Sequence, residues 1–235
     1  MMSENPTVIS TSRRPGPGWR ELVLAVAVFA LVAYGVGYAI QPLGLPPLAR
    51  GLLLSALSGL AGIAGFMVAV ALRVRAVAYF GVVGVSMRWI LLGVAGGVLT
   101  FVLSRLLAVV LYAVGIQPEN VQQAYADAGG AGLLSVVLSF LFIAVLTPLG
   151  EELVFRGVVT TVLLRYGALI GVVGSAVVFA VVHGVNAVLV TGLIVGVVAG
   201  ELRRRSGSVW PGFVVHVVNN VFAQGAALLV AGMAP

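Results

Sequence analysis

Two histidines and one adjacent pair of carboxylates are the side chains of this sequence best suited to acid–base chemistry. Glu151 and Glu152 stand with Arg156 in TPLGEELVFRG, residues 147–157. His183 closes FAVVH (179–183), and His216 opens HVVNN (216–220), which also carries Asn219 and Asn220. Such a set matches what amide hydrolysis requires: a base for water, a proton carrier, and donors aimed at developing negative charge. The chain has no cysteine, and no serine or threonine is obviously placed beside the histidines, so direct attack by water is the simplest chemistry. Glu151, His183 and His216 are also the ligand types of a catalytic zinc site, although the HExxH helix motif is missing. Two readings of the cofactor therefore stand side by side, none or one divalent metal such as zinc.

These groups lie in an extremely apolar chain. Of its 235 residues, 61% are hydrophobic and 9% charged, with a mean hydropathy of +1.17. Soluble domains carry roughly 25% charged residues, so the solvent for this chain is a bilayer. The expected architecture is all-α, a polytopic membrane bundle of about seven to eight helices. The formal charge is +6, and all 13 basic residues are arginine. On a membrane protein that excess reads as topology and not as nucleic-acid binding. The absence of cysteine excludes disulfides and thiolate chemistry.

Apolar runs predict seven spans, at 21–40, 52–72, 89–114, 132–165, 168–186, 187–203 and 209–232. The fourth exceeds the roughly 20 residues of a simple span and is expected to tilt, break near Pro148 or extend past the bilayer. Val77–Val85 is a candidate interfacial stretch. Residues 1–20 read as a disordered cytoplasmic tail, 21–131 as N-terminal transmembrane helices and 132–235 as the catalytic membrane domain. Arg13, Arg14 and Arg20 precede the first span, and Arg73, Arg75 and Arg88 separate the second from the third. Arg165 follows the fourth, and Arg203, Arg204 and Arg205 follow the sixth. The alternate loops hold Arg50, or Glu119 and Asp127. The positive-inside rule then places the N-terminus in the cytoplasm and the C-terminus outside, with Trp19, Trp89 and Trp210 as interfacial anchors. Gly93 and Gly97, then Gly192, Gly196 and Gly200, recur at the spacing that lets helices approach closely, here within one chain.

Helical geometry decides whether the reactive groups can meet. Glu152 and Arg156 are an i, i+4 pair on one face. Counting at 1.5 Å per residue from a hairpin near Tyr166–Gly167, Glu151 lies about 22 Å back and His183 about 24 Å forward. From the loop at Ser206–Ser208, His216 is roughly 12–14 Å in and Asn220 roughly 18–20 Å. Each ionisable group in a span costs at least ~2.5–3.5 kcal/mol on insertion scales, so such groups normally face the bundle interior and carry function. Taken singly, each has a plain structural role: His183 as a packing residue, Glu152–Arg156 as a helix-end ion pair, Asn219 or Asn220 as interhelical glue. Phe179 reads as ordinary packing and Asn186 as a turn cap. Arg105 has no assigned role.

In order and spacing, EELVFR (151–156), FAVVH (179–183) and HVVNN (216–220) resemble the CPBP family of intramembrane proteases. That family includes the CAAX prenyl endopeptidase of the Ras-converting type and bacterial bacteriocin-immunity relatives. The resemblance spans roughly 132–225. It implies a helical bundle with an enclosed polar cavity open to the cytoplasm, and hydrolysis of a peptide bond in a membrane-associated protein or peptide. By motif position it makes Glu151 the general base and Glu152 a supporting carboxylate held by Arg156. His183 would help to hold the water, and His216 and Asn220 would stabilise the oxyanion. The partners implied are the lipid bilayer and a membrane-associated substrate, with no nucleic acid. The setting implied is an integral protein of a bacterial plasma membrane. Two other functions compete: a proton-coupled transporter, and a non-catalytic immunity or binding protein of the same fold.

Overall fold

The computed structural model describes residues 16–115, 132–184 and 186–232. The expected disorder of the tail falls mostly, and the acidic loop with Glu119 and Asp127 entirely, outside the described residues. All regular structure among the described residues is helical. Seven helices pack together: α1 (Trp19–Leu43), α2 (Pro47–Val74), α3 (Met87–Ala113), α4 (Leu133–Tyr166), α5 (Ile170–Val181), α6 (Ala187–Ser206) and α7 (Trp210–Gly232). Five of these, α1 to α4 and α7, are long and apolar enough to cross a membrane. Leucines and valines such as Leu91, Val109 and Leu133 point outward, as a lipid-facing surface requires.

Three boundaries differ from the sequence expectation for identifiable reasons. α2 starts at Pro47, five residues early, because proline fits the first helical turn, where its missing N–H has no partner to lose. α4 is one continuous helix of 34 residues through Pro148. Proline's ring crowds the carbonyl four residues earlier, and the turn before it widens into a π-helix, Phe140–Leu146. α5 stops at Val181 and not near 186. Gly184 has φ +83°, and Asn186 caps α6: its Oδ1 accepts from the Val188 N–H at 2.8 Å, while its Nδ2 donates to the His183 carbonyl at 2.6 Å. The fifteen or so residues from Ala168 onward rise only about 23 Å, less than the ~30 Å hydrocarbon thickness. The α5–α6 turn therefore lies at the depth of the reactive groups.

Close backbone contacts hold the frame. A Cβ on Gly62 of α2 would overlap the backbone of Gly150 on α4, so the two helices touch where Glu151 begins its turn. Thr147 Oγ1 donates to the Ser55 carbonyl at 2.8 Å beside this contact. The glycine ridges work within the chain, Gly93 and Gly97 against α7 and Gly192 and Gly196 against α5. Below the site, Phe29, Phe155 and Phe179 pack edge to face, with ring centroids 5.4 and 5.1 Å apart. The interfacial stretch forms a short 3₁₀ turn at Val77–Phe80, whose Phe80 is fully buried.

Candidate active site

α4 carries both carboxylates on one turn. A second π-helical stretch, Leu153–Val159, follows directly, so TPLGEE is a short α segment between two widened turns. Such insertions re-aim side chains and occur frequently at functional sites. Glu151 and Glu152 are 2% and 1% exposed.

Both histidines reach Glu151, each at a different oxygen. His183 Nε2 lies 3.6 Å from Oε1, and His216 Nε2 lies 3.8 Å from Oε2. The convergence expected from helix depth is thus present. The other ring nitrogens are anchored: His183 Nδ1 lies 2.8 Å from the Phe179 carbonyl, and His216 Nδ1 lies 3.3 Å from Glu152 Oε1. A backbone carbonyl only accepts, so His183 carries a proton on Nδ1 and points Nε2 toward Glu151.

Glu152 has a different environment. Its Oε1 lies 3.2 Å from Arg156 Nη1, and both side chains are 1% exposed. The Arg156 guanidinium also sits 4.4 Å from the Phe179 ring centroid, a cation–π contact. Phe179 in turn meets both imidazoles edge-on, at 4.8 Å from His183 and 5.6 Å from His216. It is therefore more than ordinary packing, since one ring orients the arginine and both histidines.

Asn220 makes its hydrogen bonds to groups outside this cluster. Its Nδ2 donates to the Ile143 carbonyl at 3.0 Å, and its Oδ1 accepts from Asn219 Nδ2 at 3.1 Å. The Ile143 carbonyl belongs to the widened Phe140–Leu146 turn. Asn220 thus ties α7 to α4 one turn beyond His216. Asn219 Oδ1 lies 3.4 Å from Thr100 Oγ1 on α3, a contact in which the hydroxyl donates.

Two contributors carry no sequence motif. Ser58 on α2 donates from Oγ to Glu151 Oε1 at 3.0 Å. The only sequence signal for it is a polar residue in an apolar run. Gly212 on α7 leaves room for Glu152, because a Cβ there would come within 2.7 Å of Oε2.

A cavity of about 550 Å³ leads to Glu151 and His183, and its wall includes Tyr34, Gln41, Arg50 and Ser58. It opens at the end of the bundle that holds the α1–α2 turn. The opposite end gathers the arginine clusters: Trp19 Nε1 donates to Tyr166 Oη at 2.7 Å, Arg73 pairs with Glu21 at 3.1 Å, and Ser208 Oγ donates to the Val83 carbonyl at 2.6 Å. The two expectations drawn from the sequence, an arginine-rich cytoplasmic end and a cytoplasmic cavity mouth, cannot both hold in this fold.

A metal site is not evident in these groups. Among the described residues no set of three histidine, aspartate or glutamate side chains is arranged to hold an ion. The two imidazoles face separate oxygens of Glu151, and His216 is also engaged by Glu152.

An all-helical membrane bundle with a buried carboxylate between two imidazoles defines an intramembrane site, and its motif-bearing part has relatives. Residues 133–222 match the family described as Type II CAAX prenyl endopeptidase Rce1-like, which covers all three motifs. This stretch is thus similar to CAAX-type prenyl endopeptidases, in agreement with the resemblance carried by the three motifs. α1 to α3 lie outside the match. No curated protein and no solved structure matches the chain.

Proposed function

We propose that this chain is an intramembrane endopeptidase that hydrolyses a peptide bond of a membrane-associated protein or peptide through water activated by Glu151. The observation that supports this reading most is the approach of His183 and His216 to the two oxygens of Glu151 at the end of a cavity.

In this reading water binds between Glu151 and Nε2 of His183. Glu151 takes a proton from it, and the hydroxide adds to the scissile carbonyl carbon. The carbonyl electrons move to oxygen, and His216 donates a hydrogen bond to that oxyanion from the same side of the pocket. Collapse breaks the C–N bond, and the proton held by Glu151 passes to the leaving nitrogen. Ser58 fixes the Glu151 carboxylate. Glu152 pairs with Arg156 and fixes the His216 ring through Nδ1. Asn220 sets the α7–α4 distance through Ile143. No step is assigned to a metal.

The test is a comparison of membrane-protein termini in cells expressing wild type or Glu151→Gln at equal levels. The proposal expects a set of new termini that disappears in the variant. Identical profiles would contradict it.

A further inference from the structure

The direction of the cavity carries an inference about where substrate comes from. Its mouth carries Gln41 and Arg50, both exposed, beside the α1–α2 turn. Ser58, which bonds Glu151, is eight residues along α2 from Arg50, about 12 Å at 1.5 Å per residue. From the other end Glu151 is fifteen residues from Tyr166, about 22 Å. That longer route is closed. Phe155, Phe179 and Arg156 are each at most 2% exposed. Arg203, 7% exposed, donates to the Arg156 carbonyl at 3.2 Å and to Thr161 Oγ1 at 2.9 Å, sealing the layer beneath. Among the described residues the carboxylate is thus open toward one membrane face.

The arginines identify that face. Apart from Arg105 and Arg156 within helices, Arg50 is the one described arginine that does not lie at the closed end. A bias this large in short loops sets orientation, with the basic end in the cytoplasm. We infer that the catalytic cavity opens to the extracytoplasmic face, so that the substrate is a membrane-anchored or exported polypeptide whose scissile bond enters about 12 Å from that side. The substrate half of this inference rests on the hydrolase reading; the orientation half does not.

The natural chain has no cysteine, so single cysteines report topology without background. Gln41→Cys marks the cavity mouth. Ala78→Cys marks the opposite end, where Ala78 is exposed in the loop between α2 and α3. Both substitutions leave the charge bias intact. Intact cells, and cells permeabilised on both faces, are treated with a membrane-impermeant maleimide. The inference expects at least tenfold greater labelling of Gln41→Cys than of Ala78→Cys in intact cells, and equal labelling after permeabilisation. Reversed labelling, or comparable labelling of both in intact cells, would overturn it. The readout does not depend on cleavage. Labelling as expected without any Glu151-dependent product would sink the protease reading alone.

Discussion

Replacing Arg156 by methionine removes the arginine that pairs with the buried carboxylate of Glu152. Arg156 Nη1 is 3.2 Å from Glu152 Oε1, and each side chain is 1% exposed. Truncating one partner of such a pair typically costs about 3–5 kcal/mol, because the remaining charge stays out of solvent. Loss of the contact with Phe179 falls within this sum. In a chain of this length each kcal/mol moves the melting temperature by ~2–4 °C, so Arg156→Met should melt roughly 6–20 °C lower. His216 Nδ1, 3.3 Å from Glu152, leaves that carboxylate one polar neighbour and favours the lower half of that range. The double variant Arg156→Met with Glu152→Gln removes both charges and should regain most of the loss. Thermal unfolding in one detergent, followed by tryptophan fluorescence on monomeric fractions, measures all three proteins. A single variant within about 2 °C of wild type would refute the reasoning. So would a double variant as unstable as the single, which would assign Arg156 to packing and not to charge.

Other perturbations probe the frame around Glu151. Ser58→Ala removes a hydrogen bond to a charged group, worth about 1.5–3 kcal/mol, and should lower turnover of a cleaved peptide roughly 10- to 100-fold without changing expression. Unchanged turnover would mean that Ser58 does not orient the carboxylate. Gly62→Val places a branched side chain against the Gly150 backbone and should reduce the yield of folded protein by gel filtration, whereas Gly44→Val meets open space but sits at φ +59° and should cost less. Equal yields would show that the α2–α4 contact is not tight in solution.

Much of this arrangement was legible in the sequence because membrane spans and helical periodicity are strong signals. Long apolar runs located six of the helices to within a few residues. Counting 1.5 Å per residue along two antiparallel helices placed Glu151 and His183 at one depth, where they do meet. The end of α5 was less legible because Val182 and Val185 continue the apolar run, while the turn depends on Gly184 and on two hydrogen bonds from Asn186. Ser58 and Gly212 could not be found by motif, since their roles arise from helices that meet only in the fold. Asn220 shows the converse. Its motif position suggests a place beside the reacting carbonyl, yet the π-helical turn of α4 offers it the Ile143 carbonyl. The direction of the cavity depends on which helix ends are shorter than the bilayer, and composition does not report that.

The central claim is that Glu151 and the two imidazoles act as one hydrolytic centre, and a mutant cycle on purified protein in liposomes tests it most directly. Turnover of one cleaved substrate would be compared for wild type, Glu151→Gln, His216→Ala and the double variant. The account predicts losses of about 10²–10⁴ for each single variant, with the double no worse than the more damaged single, since the groups serve one transition state. Losses that multiply, or a Glu151→Gln protein that retains wild-type turnover, would contradict it.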